Sequence, residues 1–293
     1  MSSAATLAQL GEFGLIHMIQ EQLGPCSDEV VMGIGDDAAV VRMGEGGYWL
    51  WTTDMLVEGT HFMSTTAWRD VGRKALACSV SDIAAMGGEP RYAVVSLGLP
   101  GRQTVEDVRE LYRGLQEVAR DFGVSLIGGD TVVSERTVVN VAMTGQVEAD
   151  RVVYRHGARP GDRLFVTGPL GRSLATGHHL RFTPRLKEAR MLTERFHPTS
   201  MMDISDGLAA DLRHILERSR VGAVIDLEKI PRREGASIQE ALSDGEDFEL
   251  LFTLPAEEAD RCPFFCVGRI VKEEEGMNIP CQGFDHFDRR KHA

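Results

Sequence analysis

Several common signatures are missing from these 293 residues. No Gly-Lys-Ser/Thr triplet closes a glycine-rich turn, which excludes a P-loop, and only five of the 32 basic residues are lysine. No apolar run approaches the roughly 18 residues that a membrane span requires. The five cysteines (26, 78, 262, 266, 281) are odd in number and lack disulfide-framework or zinc-ribbon spacing. Reduced thiols and a cytoplasmic setting are therefore expected. The opening "MSSAATLAQLGEFG" shows neither a basic start nor a cleavage pattern, so no secretory leader is expected. Positive charge is also scarce. A net charge of −12 argues against a nucleic-acid or anionic-membrane partner. It leaves room for phosphate ligands, provided that cations mediate the contact.

What is present suffices for one large core or two ordinary ones, since 43% of the residues are hydrophobic. Residues 10–23 place Leu10, Phe13, Ile16, Ile19 and Leu23 at helical spacing. The run "DVGRKALACSVSDIAAMGGEP" predicts a helix stopped by Gly87, Gly88 and Pro90. "TVEDVRELYRGLQEVARDFG" predicts another, with Thr104 and Asp107 as a capping box and Gly123 as its close. Strands are expected at 30–34, 48–53, "YAVVSLGLP", "VSLIGGD" and "TVVNVAMTGQVE". Beyond a polar, Gly- and Pro-containing stretch at 149–162 they recur in "RLFVTGPLG", "AVIDLEKIP", "DFELLFTLP" and "FFCVGRIV". Alternating strands and helices in both halves predict two α/β or α+β domains, 1–148 and 149–293.

Within this pattern the acidic residues fall oddly. Asp36 and Asp37 interrupt the apolar "VVMGIGDDAAVV", and such a pair makes either a polar turn or a set of hard oxygen ligands for a cation. "YWLWTTD" ends in Asp54, "VSLIGGD" in Asp130, and "MMDISD" holds Asp203 and Asp206. Four apolar runs thus finish in carboxylates, where α/β sheets collect ligands. A further carboxylate, Asp82, lies in an apolar helix whose neighbouring positions are Ala75, Cys78, Ser79 and Met86; buried, it must be paired or bind metal. Together they argue for several Mg²⁺ ions that would reverse the repulsion between carboxylates and a nucleotide's phosphates. In such a site the protein mainly positions groups, and bound ions supply charge.

At these same residues the chain resembles the thiamine-monophosphate kinase family. That family belongs to the ATP-binding superfamily of aminoimidazole-ribotide synthase and selenophosphate synthetase. The matching strings run in order from end to end: "GEFGLI", "GIGDDAAVV", "TTDMLVEGTHF", "KALACSVSDIAAMGGEP", "LIGGDT", "RHGARPGD", "VTGPLG", "DISDGLAADL", "GEDFELLFT" and "GFDHF". "GTHF" and "GEDFEL" separate this family from its relatives.

The resemblance implies direct, in-line transfer of the ATP γ-phosphoryl group to thiamine monophosphate, giving thiamine diphosphate, with no side-chain nucleophile. It implies Mg²⁺ ligands at Asp37, Thr52, Thr53, Asp54, Asp82, Asp130, Asp203 and Asp206. ATP contacts are implied at Gly129, Asp130, Arg155 and Ser205. Tyr112 is either a further nucleotide contact or a core-edge aromatic. His61, Glu246 and Phe284 are implied on the thiamine side, although a lone histidine read without the motif would be a satisfied structural one. The implied fold is a two-domain α/β (α+β) fold of the aminoimidazole-ribotide synthase type. Its N-terminal domain forms a barrel across a homodimer, and its C-terminal α+β domain closes over substrate.

The chain departs from the family pattern at three places. The segments before "DISDGL" and before Glu246 are short, and Cys281 stands where an aromatic often precedes "GFDHF". The rival readings are another superfamily enzyme, or a silent nucleotide-binding regulator. Cys26 lacks the glycine-rich setting of a selenophosphate synthetase cysteine, and a regulator would show gaps among the acidic residues.

Overall fold

The computed structural model describes residues 6–44 and 46–279. The first half forms a six-stranded sheet: β1 (Val30–Met32), β2 (Ala39–Arg42), β3 (Gly47–Val57), β4 (Glu89–Leu99), β5 (Ser125–Val133) and β6 (Val138–Glu148), in the order β1-β2-β3-β6-β4-β5. All pairings are antiparallel except β4 with β5.

One face is covered by α2 (Trp68–Ala85) and α3 (Val105–Phe122), which bury Val71, Leu76, Ile83, Leu111 and Leu115 against Leu50, Val95, Val141 and Met143. The two helices cross with their backbones nearly touching. A Cβ on Gly72 would lie 2.0 Å from the Leu111 carbonyl oxygen, and one on Gly114 would lie 1.9 Å from that of Arg69. α3 starts as its sequence predicts: Thr104 Oγ1 accepts from Asp107 N at 3.1 Å, Asp107 Oδ2 accepts from Thr104 N at 2.9 Å, and Gly123 ends it in a left-handed conformation. α1 (Leu7–Leu23) begins earlier than the predicted helix and kinks at Gly11, whose φ of 72° breaks the helical path.

The opposite face of this sheet is open. Trp51 and Met55 on β3, and Tyr92 and Val94 on β4, are exposed there, and β5 leaves one edge unpaired.

The second half forms a five-stranded antiparallel sheet: β7 (Arg163–Val166), β8 (Ser200–Asp203), β9 (Val221–Ile225), β10 (Leu250–Leu254) and β11 (Phe265–Lys272), in the order β8-β10-β7-β11-β9. It is buried on both sides. Leu164, Met202 and Leu251 face α7 (Leu208–Ser219), while Phe165, Met201 and Phe252 face α6 (Leu186–Arg195) and the end of α2, where Ala84 and Ala85 enter the same apolar cluster. The short helices α4 (Ser173–Thr176), α5 (His178–Arg181) and α8 (Ile238–Ser243) complete this half. Helix α2 therefore lies between the two sheets. Among the described residues, no helix is long and apolar enough to cross a membrane.

Two strand ends differ from expectation. The runs expected to stop at Asp54 and Asp130 continue to Val57 and Val133, so both carboxylates sit within strands. Pairing with β6 and β4 supplies the continuing ladder, a non-local cause that adjacent polar residues cannot report.

Candidate active site

Alternation along β3 sends Thr52 and Asp54 to the face covered by α2 and Thr53 to the open face. On the covered face Ser79 Oγ donates to Asp54 Oδ2 at 2.9 Å, and Thr52 Oγ1 donates to Asp82 Oδ2 at 2.5 Å. From the far side of α2, Ser81 Oγ donates to Asp203 Oδ2 at 2.5 Å, at the end of β8. Asp36 and Asp37 occupy the loop after β1. Asp36 accepts from the Arg155 backbone N–H at 3.1 Å, and Arg155 Nη2 donates to Asp37 Oδ1 at 2.5 Å. Carboxylate oxygens of Asp37, Asp82 and Asp203 then lie within 4.8 Å of one another. All five acidic residues border one cavity of about 470 Å³.

Such crowding is expensive for charged groups. Burial, aided by repulsion from Asp37, pushes Asp36 up to about 7. Burial and then Asp37 push Asp203 up to about 8. Burial also raises Asp54, and it raises Asp82 well above the usual carboxylate range with Asp54, Asp203 and Asp37 adding to the effect. Asp37 Oδ2 is buried without a hydrogen-bond partner. An unpartnered carboxylate oxygen beside two converging carboxylates fits a hard divalent cation such as Mg²⁺, which prefers oxygen donors.

Ser205, Asp206, His61 and Glu246 border the same cavity. His61 Nδ1 accepts from the Val57 N–H at 3.0 Å, which puts the proton of a neutral imidazole on Nε2. Thr53 also borders the cavity, yet its hydroxyl accepts from Asn140 Nδ2 at 2.9 Å. Gly129 and Asp130 lie elsewhere. They sit on the exposed edge strand β5, with Asp130 in register with Ser96 and, through Asn140, with Met55 on the open face. The structure does not bring them to the carboxylate cluster. Tyr112 packs against the first core, as its helical stripe allows, and does not border the cavity. Phe284 lies outside the described residues.

Several neighbours escaped the sequence reading. Phe248 borders the cavity and stacks on Phe182 at 4.0 Å. Asp211, 1% exposed, accepts from the Asp206 N–H at 3.1 Å and so holds the turn after Asp203. Lys74 is fully buried beside Glu246. A signal for Lys74 existed: it is the single lysine of an apolar helix that had already been singled out for Asp82.

Two sheets with carboxylates at their seam define a class. Residues 35–147 match the family described as AIR synthase related protein, N-terminal domain, and residues 159–268 match its C-terminal domain. The thiamine-monophosphate kinase of Haemophilus influenzae is 33% identical over 332 residues, covering 96% of this chain and 99% of that protein. That of Aquifex aeolicus is 36% identical over 306 residues, covering 94% and 96%. A solved structure described as AaThiL complexed with AMPPCP and TMP superposes with a TM-score of 0.88 at 35% identity, covering 97% of this chain and all of that one. The chain belongs to the thiamine-monophosphate kinase family.

Proposed function

We propose that this chain transfers the γ-phosphoryl group of ATP to the terminal phosphate of thiamine monophosphate. The bond between γ-phosphorus and the β,γ-bridging oxygen breaks, a bond to an acceptor phosphate oxygen forms, and ADP and thiamine diphosphate leave. A terminal phosphate oxygen is a competent nucleophile near neutral pH, so no side-chain base or phosphoenzyme is required. The observation that carries this reading is the convergence of Asp37, Asp82 and Asp203 in a cavity that also holds His61 and Glu246.

Asp37, Asp54, Asp82, Asp203 and Asp206, with Thr52, would hold Mg²⁺, which when bound supplies the positive charge that offsets the phosphates. Ser205 borders the nucleotide in this reading. Arg155, which neutralises Asp37 in the structure, would turn to phosphate once cations take over that carboxylate. His61 and Glu246 would meet the thiamine portion, joined by Phe284.

Gly129, Asp130 and Thr53 are assigned to the open sheet face, which we propose meets a second copy to close a barrel. The exposed Trp51, Met55, Tyr92 and Val94 and the unpaired β5 edge support that pairing. The division between domains is placed in the polar stretch at 149–162, giving 1–148 and 149–293. The four described cysteines carry free thiols, in keeping with the cytoplasm.

The decisive experiment incubates purified protein with Mg-ATP and thiamine monophosphate, thiamine or no acceptor, and separates products by chromatography. Thiamine diphosphate formed only from the monophosphate is expected. ADP release without it would move the reaction to another acceptor of the superfamily.

A further inference from the structure

Lys74 does not line the cavity, yet it is among the largest wholly buried side chains. An ammonium removed from water must spend its donors on fixed partners. Its Nζ lies 2.6 and 2.7 Å from the two carboxylate oxygens of Glu246, 2.8 Å from the His61 carbonyl oxygen and 3.1 Å from His179 Nδ1. His179 Nδ1 is also 3.0 Å from Glu246 Oε2, so that nitrogen either accepts from the ammonium or donates to the carboxylate. One α2 side chain thus ties together the loop after β3, helix α5 and the loop before β10.

The geometry at Glu246 shows why a tie is needed. Its backbone adopts φ of +52°, a left-handed conformation that non-glycine residues avoid, and Phe248 two residues on has φ of +51°. The loop is held from both sides: Glu246 N–H donates to the Ser205 carbonyl at 2.6 Å, and Ser173 Oγ donates to the Glu246 carbonyl at 2.6 Å. Burial raises the Glu246 carboxyl, but hydrogen bonding to His179 and the charge of Lys74 outweigh it and hold the group below its ordinary value. The carboxylate is therefore ionised and already matched by a cation. What it offers the cavity is a fixed pair of acceptor oxygens rather than net negative charge.

We infer that Lys74 is the positioning residue of the acceptor wall, holding Glu246 and His61 in register across the seam between the two halves of the chain. The inference rests on the kinase reading and on the placement of those two residues beside the thiamine portion. It deepens that reading in one respect: acceptor binding depends on the neutralised Lys74–Glu246 pair, while nucleotide and metal binding do not.

The test compares wild type, Lys74→Met, Glu246→Gln and the double variant with Mg-ATP and thiamine monophosphate, measuring kcat and both KM values. Either single change strands one buried charge and is expected to raise the acceptor KM about tenfold while the ATP KM stays within about twofold. The double variant removes both charges and is expected to lie closer to wild type than either single, with the acceptor KM raised about threefold. It also serves where Lys74→Met fails to fold. An unchanged acceptor KM, an ATP KM that rises in step with it, or a double variant worse than both singles would overturn the inference. Failure of wild type itself to make thiamine diphosphate would overturn the kinase reading and the inference with it, and the wild-type control separates that result from the others.

Discussion

Ser81 of α2 donates to Asp203 of β8 at 2.5 Å, so a hydroxyl from the helix that covers the first sheet fixes a carboxylate that belongs to the second. Removing that hydroxyl takes away the hydrogen bond that orients the Asp203 carboxylate. Ser81→Ala is expected to raise the Mg²⁺ concentration for half-maximal activity by about 10- to 100-fold and to leave kcat at saturating Mg²⁺ near wild type. Titrating activity with Mg²⁺ checks this, and an unmoved midpoint would remove Ser81 from the metal site.

Asp54 and Asp130 test the two faces of the first sheet separately. Asp54→Ala is expected to lower turnover by at least about a hundredfold with the fold intact, since the cost falls on charge compensation during phosphoryl transfer, whereas Asp130→Ala, on the open face away from the carboxylate cluster, is expected to lower it far less. Steady-state assays beside circular dichroism separate loss of activity from loss of structure. Near-normal turnover in Asp130→Ala would confine the chemistry to the face covered by α2.

Arg218 of α7 donates from Nη2 and Nε to the Gly35 carbonyl at 2.8 and 3.1 Å, and from Nη2 to the Ile34 carbonyl at 3.3 Å. It thereby pins the loop that carries Asp36 and Asp37. Gly35 is doubly constrained there, by φ of +125° and by a guanidinium where a Cβ would stand. Arg218→Met is expected to raise the half-saturating Mg²⁺ about fivefold without changing the acceptor KM. A change in the acceptor KM alone would contradict this role.

Stability of the metal-free protein is expected to depend on pH with an unusual sign. Asp36 and Asp203 are raised to about 7 and about 8, so between pH 4 and 8 the folded state binds more protons than the unfolded chain. Stability conferred by those protons is complete below pH 4 and is lost as pH rises toward 8. Thermal melts in chelator should fall across that range, and added Mg²⁺ should recover Tm most strongly at the alkaline end. A chelated protein that gains Tm from pH 5 to 8 would contradict the cause assigned to these shifts.

The sequence disclosed local features better than it disclosed faces. Helix α3 was legible because its cap, stripe and closing glycine all lie within twenty residues. The acidic residues were legible as a set because carboxylates in apolar runs demand partners. Their sorting was not, because whether Thr52, Asp54 or Asp130 looks toward α2 depends on ladders with β6 and β4. Asp130 accordingly stood in the same group as Asp82, although the folded chain puts it on the other face. Lys74 and Glu246 stand 172 positions apart, and no spacing rule joins them. Phe248 was hidden for a related reason: it sits inside a recognised string, but its stacking on Phe182 arises only once α5 packs beside it.

Helix α2 carries a consequence for how the chain holds together. Ala84 and Ala85 complete the apolar cluster of Phe165 and Phe252, while Val71, Leu76 and Ile83 complete that of Leu50 and Val141. A fragment ending at residue 148 would carry away a wall that the remainder needs, and would itself expose the ammonium of Lys74 and the hydroxyl of Ser81 to water. The two halves, which match separate family models, are thus expected to form in this chain a single cooperative body that melts in one transition, with neither half stable once severed from the other.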